Sequence, residues 1–343
     1  MTRWMLALLL SGSALASPEE RTCNIPVFRY ALERWQAAPY DVVVFHRGPL
    51  SDAGKAALTA LRQAGSNLEV DRVDLAEPVP TRRKALLERA RIEAPCIVAQ
   101  YPGWELVAWS GPLTAESAAK LADSPARREI TKRLLGGESA VWLLLESGDA
   151  AKDDAAARTL EVELKKLEET LKVPAHHPDD PPLLSEVPVR VDFSVYRLSR
   201  SAPGEGALVT MLLNSDTGLE GPIVFPIFGR GRALWAMSGK GLTADNISEA
   251  GTFLIGACSC EAKELNPGVD LLFAADWEAG LTAPPAREPV PAPILKPRAP
   301  EPVEVPAAPP APSSGSKAYL WGALLVAGIL VAITGRRVLA GPK

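Results

Sequence analysis

The 343-residue chain is predicted to be an α/β protein: two tandem domains of one plan, then a Pro-rich linker, then a single C-terminal transmembrane helix. Three observations predict this. The apolar runs Tyr40–His46 (YDVVVFH) and Ala140–Glu146 (AVWLLLE) each precede an amphipathic segment, as a strand buried on both faces precedes its crossover helix. The phrase AWSGPLTAE at residues 108–116 returns as AMSGKGLTAD at 236–245, so one structural joint is spelled twice. Both ends of the chain are also set apart by composition.

Residues 1–16 have the pattern of a signal peptide. Arg3 precedes the apolar run Trp4–Leu10, and Ala14-Leu15-Ala16 supplies small residues for cleavage. Residues 318–334 (AYLWGALLVAGILVAIT) carry no charge and are long enough for a short membrane span, with Tyr319 and Trp321 at interfacial positions. Arg336, Arg337 and Lys343 follow, which places the tail 335–343 in the cytoplasm and the bulk of the chain outside it, an N-out, C-in topology. Residues 282–317 form the predicted stalk. Twelve of the 32 prolines lie between 283 and 317, a composition that favours extended polyproline II over a core.

Between the ends, helical spacing begins just after Cys23 (CNIPVFRYALERW), ahead of the strand Tyr40–His46. Ser51 opens a helix that Gly65 stops, Leu68–Leu75 alternates with period two, and Thr81 opens a basic helix. Cys96–Tyr101 and Glu105–Trp109 flank Pro102-Gly103 as a hairpin, and Thr114 caps a long helix running to Gly136-Gly137. The second half repeats the plan. After Ala140–Glu146 come a helix at Asp153–Lys172, a strand at Val189–Leu198 and a short helix at Gly206–Leu213. A hairpin of Ile223–Phe228 with Arg232–Met237, a helix capped by Thr243 and a last strand at Val269–Trp277 complete it. The domains are drawn at 23–123 and 124–281. One larger mixed sheet is the rival arrangement.

This order, with Ala94-Pro95-Cys96-Ile97-Val98 before the first hairpin strand, resembles the thioredoxin-like superfamily lacking its first strand. The resemblance implies a cis-proline at Pro95 and, by the echo, at Pro222. It also implies a Cys-x-x-Cys where a helix follows the central strand, because the helix N-terminus there stabilises a thiolate. Those places read Phe45-His-Arg-Gly-Pro-Leu-Ser51 and Glu146-Ser-Gly-Asp-Ala150, with no cysteine. The fold is thus implied without the dithiol activity.

The cysteines are Cys23, Cys96, Cys258 and Cys260. The implied topology brings Cys23 and Cys96 to one end of the first domain, as a structural disulfide, as separate thiols or as a displaced redox pair. Cys258-x-Cys260 reads as a structural turn, a tight disulfide or a soft-metal site. His176-His177 lies in a polar loop with nothing to relate it to that pair. The stretch GRGRALWAMSGKGLT lacks the phosphate-loop spacing, and no serine-hydrolase or zinc-protease motif occurs. A net charge of −4 with interspersed signs argues against nucleic acid.

The expectation is therefore a non-catalytic, membrane-anchored binding or scaffold protein of the extracytoplasmic face, with a protein partner in the envelope and no cofactor. Its layout resembles that of bacterial envelope proteins for which no activity is implied. The alternatives are thiol–disulfide exchange through Cys258/Cys260 or Cys23/Cys96, and soft-metal carriage through Cys258-x-Cys260. His46 and Arg47, polar residues directly after a buried strand, are the candidate partner-binding residues.

Overall fold

The computed structural model describes residues 23–258 and 262–282, all within one compact unit. Cys260 and the segments expected to be a signal peptide, nearly all of the stalk, a membrane span and a tail lie outside the described residues. Among the described residues no helix is long and apolar enough to cross a membrane.

The protein is mixed α/β with two separate sheets, not one larger sheet. The first half contains α1 (Val27–Arg34), β1 (Tyr40–His46), α2 (Asp52–Gln63), β2 (Leu68–Asp74), α3 (Thr81–Ala90), β3 (Cys96–Gln100), β4 (Val107–Pro112) and α4 (Ala115–Ala122). Its sheet has the order β2-β1-β3-β4, with β1 parallel to β2 and antiparallel to β3. The second half contains α5 (Pro125–Leu135), β5 (Ala140–Leu145), α6 (Ala150–Thr170), β6 (Phe193–Leu198), α7 (Gly206–Asn214), β7 (Ile223–Phe228), β8 (Arg232–Ala233), β9 (Met237–Ser238), α8 (Ala244–Ile255), β10 (Val269–Asp270) and α9 (Trp277–Thr282). Its sheet runs β10-β8-β7-β5-β6, with β9 beside β7 and β5 parallel to β6.

Both central strands are buried on two faces, as their continuous apolar runs require. Tyr40, Val42 and Val44 face Leu58 and Leu61 of α2 and Leu121 of α4. Val43 and Phe45 face Leu86 of α3. In β5, Trp142 and Leu144 join Leu160 and Leu164 of α6, while Val141, Leu143 and Leu145 join Ile130 of α5 and Leu208 of α7.

The repeated phrase is a repeated cap. Thr114 Oγ1 accepts the Ser117 N–H at 3.1 Å, and Thr243 Oγ1 accepts the Asn246 N–H at 3.2 Å. Each satisfies an N–H that the first helical turn leaves without a carbonyl.

Several elements differ from expectation. The helix opened by Thr114 is two helices, because Pro125 cannot continue the α4 ladder and holds Ser124 extended. Thr81 begins α3 without a side-chain cap; Pro80 takes that position. The strand of 189–198 is paired only from Phe193. The second hairpin's return strand is split into β8 and β9. Pro226, which has no N–H, stands opposite the gap, and the register shifts by one residue across it. The strand of 269–277 pairs with β8 only through Val269–Asp270, and Trp277 already belongs to α9.

Two segments cross between the halves. Helix α1 comes first in sequence, yet Val27, Phe28, Tyr30, Ala31 and Trp35 pack with Trp142, Phe228 and Leu254 of the second half. Arg230 caps it, donating to Leu32 O at 2.8 Å and Glu33 O at 3.0 Å. A buried Arg29–Glu33 ion pair of 3.0 Å faces the loop before β6, where Glu33 Oε1 accepts the Leu184 and Ser185 N–H groups. In return, the segment after β10 serves both cores: Leu271 and Phe273 face the second sheet, and Leu272 faces the first.

Candidate functional site

The upper end of the first sheet is where β1 stops and α2 begins. His46 closes β1 opposite Asp74 of β2, and since Phe45 opposes Cys96, it comes level with Pro95. Ser51 starts α2 by accepting the Gly54 N–H at 3.1 Å. Between them, Gly48 takes φ 67, a left-handed conformation suited to glycine. Its N–H donates to Asp74 Oδ1 at 2.8 Å, which also accepts the Ala76 N–H at 2.9 Å. Those two N–H groups, from Ala76 first and then Gly48, hold the Asp74 carboxyl below its ordinary pKa.

His46 is 6 % exposed. Its Nδ1 lies 2.7 Å from Gly48 O. A carbonyl only accepts, so Nδ1 carries a proton, and in the singly protonated ring Nε2 presents a lone pair. That atom is buried and has no hydrogen-bond partner among the described residues. Arg47 is exposed, and among the described residues its side chain makes only a long 3.4 Å contact to Leu75 O. The Ala94–Pro95 bond is cis, and Pro95 O accepts the Leu113 N–H at 3.2 Å.

The equivalent end of the second half is closed. Asp153, buried in the first turn of α6, takes Ser147 N–H and Oγ–H on Oδ1 and Gly148 N–H on Oδ2 at 2.7–3.0 Å. Glu146 N–H donates to Leu198 O and Asp149 N–H to Ser147 Oγ, so the backbone donors of 146–149 are all used internally. Pro222 is not a cis-proline: Ala94–Pro95 is the only cis bond among the described residues. Gly221, at φ 67, makes the turn there instead.

The cysteines are not arranged as expected. Cys96 points into the α3 side of the first sheet among Val43, Phe45 and Leu86, whereas Cys23 enters the second core beside Trp142 and Cys258. The Cys23–Cys96 pairing is corrected by the crossing of α1, which carries Cys23 away from the sheet that holds Cys96. Burial raises the Cys96 pKa to about 11, so the thiol beside Pro95 is not a nucleophile near neutral pH. Cys260 lies outside the described residues.

His176 and His177 remain in the loop after α6, held to Asp180, whose Oδ1 also accepts the Asn24 N–H at 3.0 Å. Among the described residues no group of three or more His, Cys, Asp or Glu side chains is gathered for a metal. A groove of about 450 Å³ between β4 and α7 is lined by Arg89, Trp109, Ser110, Asn214 and Asp216 among others. None of His46, Arg47, Pro95 and Pro222 lines it, and its Ser110 hydroxyl faces Ala90 O at 3.5 Å.

Sequence reasoning missed Asp74 and Asp153, which organise the two upper ends. The available signal was an acid at the end of a strand and another in the first turn of a helix, positions where backbone N–H groups gather. No family model and no curated protein matches the chain.

Proposed function

We propose that the chain is a non-catalytic binding protein, exported and held at the outer face of a membrane, whose two halves are thioredoxin-like domains without the dithiol. The strand order β2-β1-β3-β4, with a cis-proline at the head of β3, supports that family reading of the first half, and β6-β5-β7 supports it for the second. The single observation that carries the function is the chemistry of the first upper end. Where a redox enzyme needs a reactive thiol, this loop presents an exposed Arg47 on a backbone already braced by Asp74. Such a surface binds without reacting. The partner offers an acceptor or carboxylate to Arg47, while His46, buried beneath it, holds the loop through its 2.7 Å contact with Gly48 O.

The test is site-directed photo-crosslinking of the full chain in its native membrane. A crosslinker at Arg47 should capture a discrete protein, and one at Lys165 on the exposed face of α6 should not. His46→Ala should weaken the Arg47 adduct. Equal adducts at both positions, or none at Arg47, would remove the site assignment.

A further inference from the structure

Strand β4 is an edge of the first sheet, and its phase against β3 is fixed. The Leu113 N–H donates to Pro95 O at 3.2 Å, and the register then pairs Gly111 with Ile97 and Trp109 with Ala99. In an antiparallel ladder, hydrogen-bonded pairs alternate with pairs whose N–H and C=O groups turn away. Leu113, Gly111 and Trp109 therefore bond to β3, while Pro112, Ser110 and Ala108 turn their backbone carbonyls to the open edge. At two of these three the carbonyl is taken. Pro112 has no N–H, and its C=O accepts the Thr114 N–H at 2.9 Å. The Ala108 C=O accepts Asn214 Nδ2 at 3.1 Å, an amide standing where a neighbouring strand would. The N–H and C=O of Ser110 have no partner among the described residues.

Those two groups open on the groove of about 450 Å³ beside β4. Arg89 of α3 stands on one wall, held by Glu105 at 3.3 Å, and Leu213, Asp216 and Thr217 stand on the other. Ser110 turns its hydroxyl to the α3 side, facing Ala90 O. Trp109 turns to the opposite side and lies across Gly111, where a Cβ would collide with the indole. We propose that this groove takes one extended segment of a partner protein, added to the first sheet as a strand beside β4 and hydrogen-bonded to Ser110. The segment's central residue, opposite Ser110, shares its face with Arg89 and is acidic. The two residues flanking it turn to the side of Trp109 and Leu213 and are apolar. The walls favour a single strand over a second copy of this chain, since a second β4 would bring its own α3 and α7 against them. The edge is a different surface from the loop of Arg47, and the inference stands without that loop.

The probe is the peptide acetyl-Ser-Val-Glu-Val-Ser amide, added at millimolar concentration to the full chain in detergent micelles. It should bind and slow hydrogen exchange at the Ser110 amide, with exchange at Gly48 unchanged. Methylating the glutamate nitrogen removes the donor to Ser110 O and should weaken binding about tenfold. Methylating a valine nitrogen, which faces away from the edge, should weaken it less. Equal weakening by the two methyl groups, protection at Gly48 instead of Ser110, or no binding overturns the proposal. Protection of Ser110 that grows with the concentration of the chain alone would assign the edge to a second copy and also overturns it.

Discussion

Phe273 N–H donates to Asn67 Oδ1 at 3.0 Å, and Asn67 Nδ2 donates to Leu271 O at 3.2 Å, so one side-chain amide reads two backbone positions of a segment 204 to 206 residues away. The same Nδ2 donates to Ala38 O at 2.9 Å, ahead of β1. Asn67 therefore acts as a rung between the first sheet and the strand-like segment that both cores share. The isolated bridge between Ser66 and Ala274 extends that contact.

Replacing Asn67 with Asp keeps the acceptor and removes the donor. It sets a carboxylate against the carbonyls of Ala38 and Leu271. We expect Asn67→Asp to lower stability by about 2–4 kcal/mol, and Asn67→Ala by less, because Ala leaves the carbonyls unbonded without adding a charge. Urea unfolding of residues 23–282 checks the order. Equal losses would mean that the donor side of this amide is not what joins the halves.

Glycine carries the contact between α1 and the hairpin that turns at residues 229–231. Gly229 takes φ 57, and a Cβ built there would stand 2.7 Å from the Cβ of Ala31. Gly229→Ala is expected to lose about 2–4 kcal/mol by combining a left-handed backbone with overpacking. Gly65, at φ 63 with open space around it, is the control, where alanine should cost only the backbone term of about 1–2 kcal/mol. Thermal unfolding of the two variants gives the comparison, and similar losses would show that α1 yields at this contact.

What was legible in the sequence was local. The runs of β1 and β5 announce themselves through hydrophobicity alone, and Thr114 and Thr243 cap helices because a hydroxyl three residues before an N–H needs no distant partner. What was not legible depends on distant contacts. Nothing in Val27–Arg34 says that it packs on the sheet of β5 instead of that of β1, since an apolar helix face fits either core. The segment Val269–Trp277 reads as a further strand, but the structure turns Leu271 and Phe273 to one core and Leu272 to another, a division that three consecutive apolar residues do not announce. The cysteine pairing failed for the same reason, as it assumed that α1 stays with its sequence neighbours. Pro125 and Pro226 could have been read: each removes an N–H inside a predicted element, Pro125 ending α4's run and Pro226 leaving β7 whole while the strand opposite it splits.

Cys96 should be chemically silent in the native protein. It is fully buried in β3, and burial raises its pKa to about 11 from an ordinary 9.0. Iodoacetamide at pH 8 should leave the Cys96 peptide unlabelled until denaturant is added. The folded state holds this proton more tightly than the unfolded one. Its contribution to stability is thus complete below pH 9 and is lost as pH rises toward 11. Native labelling at a rate comparable to that of an exposed thiol would contradict the inward orientation of β3.

Asp74 governs the loop that carries the candidate site. Its Oδ1 holds the N–H groups of Gly48 and Ala76, and these bonds lower its pKa. A carboxyl with a depressed folded pKa stabilises the structure above its ordinary titration range. That contribution is lost as pH falls through the folded value, because the unfolded chain takes up the proton first. The loss is local, since Asp74 braces the loop instead of a core. Amide exchange at Gly48 and Ala76, corrected for intrinsic rates, should therefore rise as pH falls below the ordinary carboxylate range, while exchange at Val43 in β1 stays protected. Asp74→Asn should give the same fast exchange at every pH, if its amide turns its nitrogen toward the two donors, and Asp74→Ala should do so without that condition. Both should reduce the Arg47 photo-adduct, since His46 Nδ1 depends on Gly48 O for its orientation. If exchange at Gly48 is unchanged in Asp74→Ala, the loop is held by something other than this carboxylate. The preformed presentation of Arg47 then loses its support.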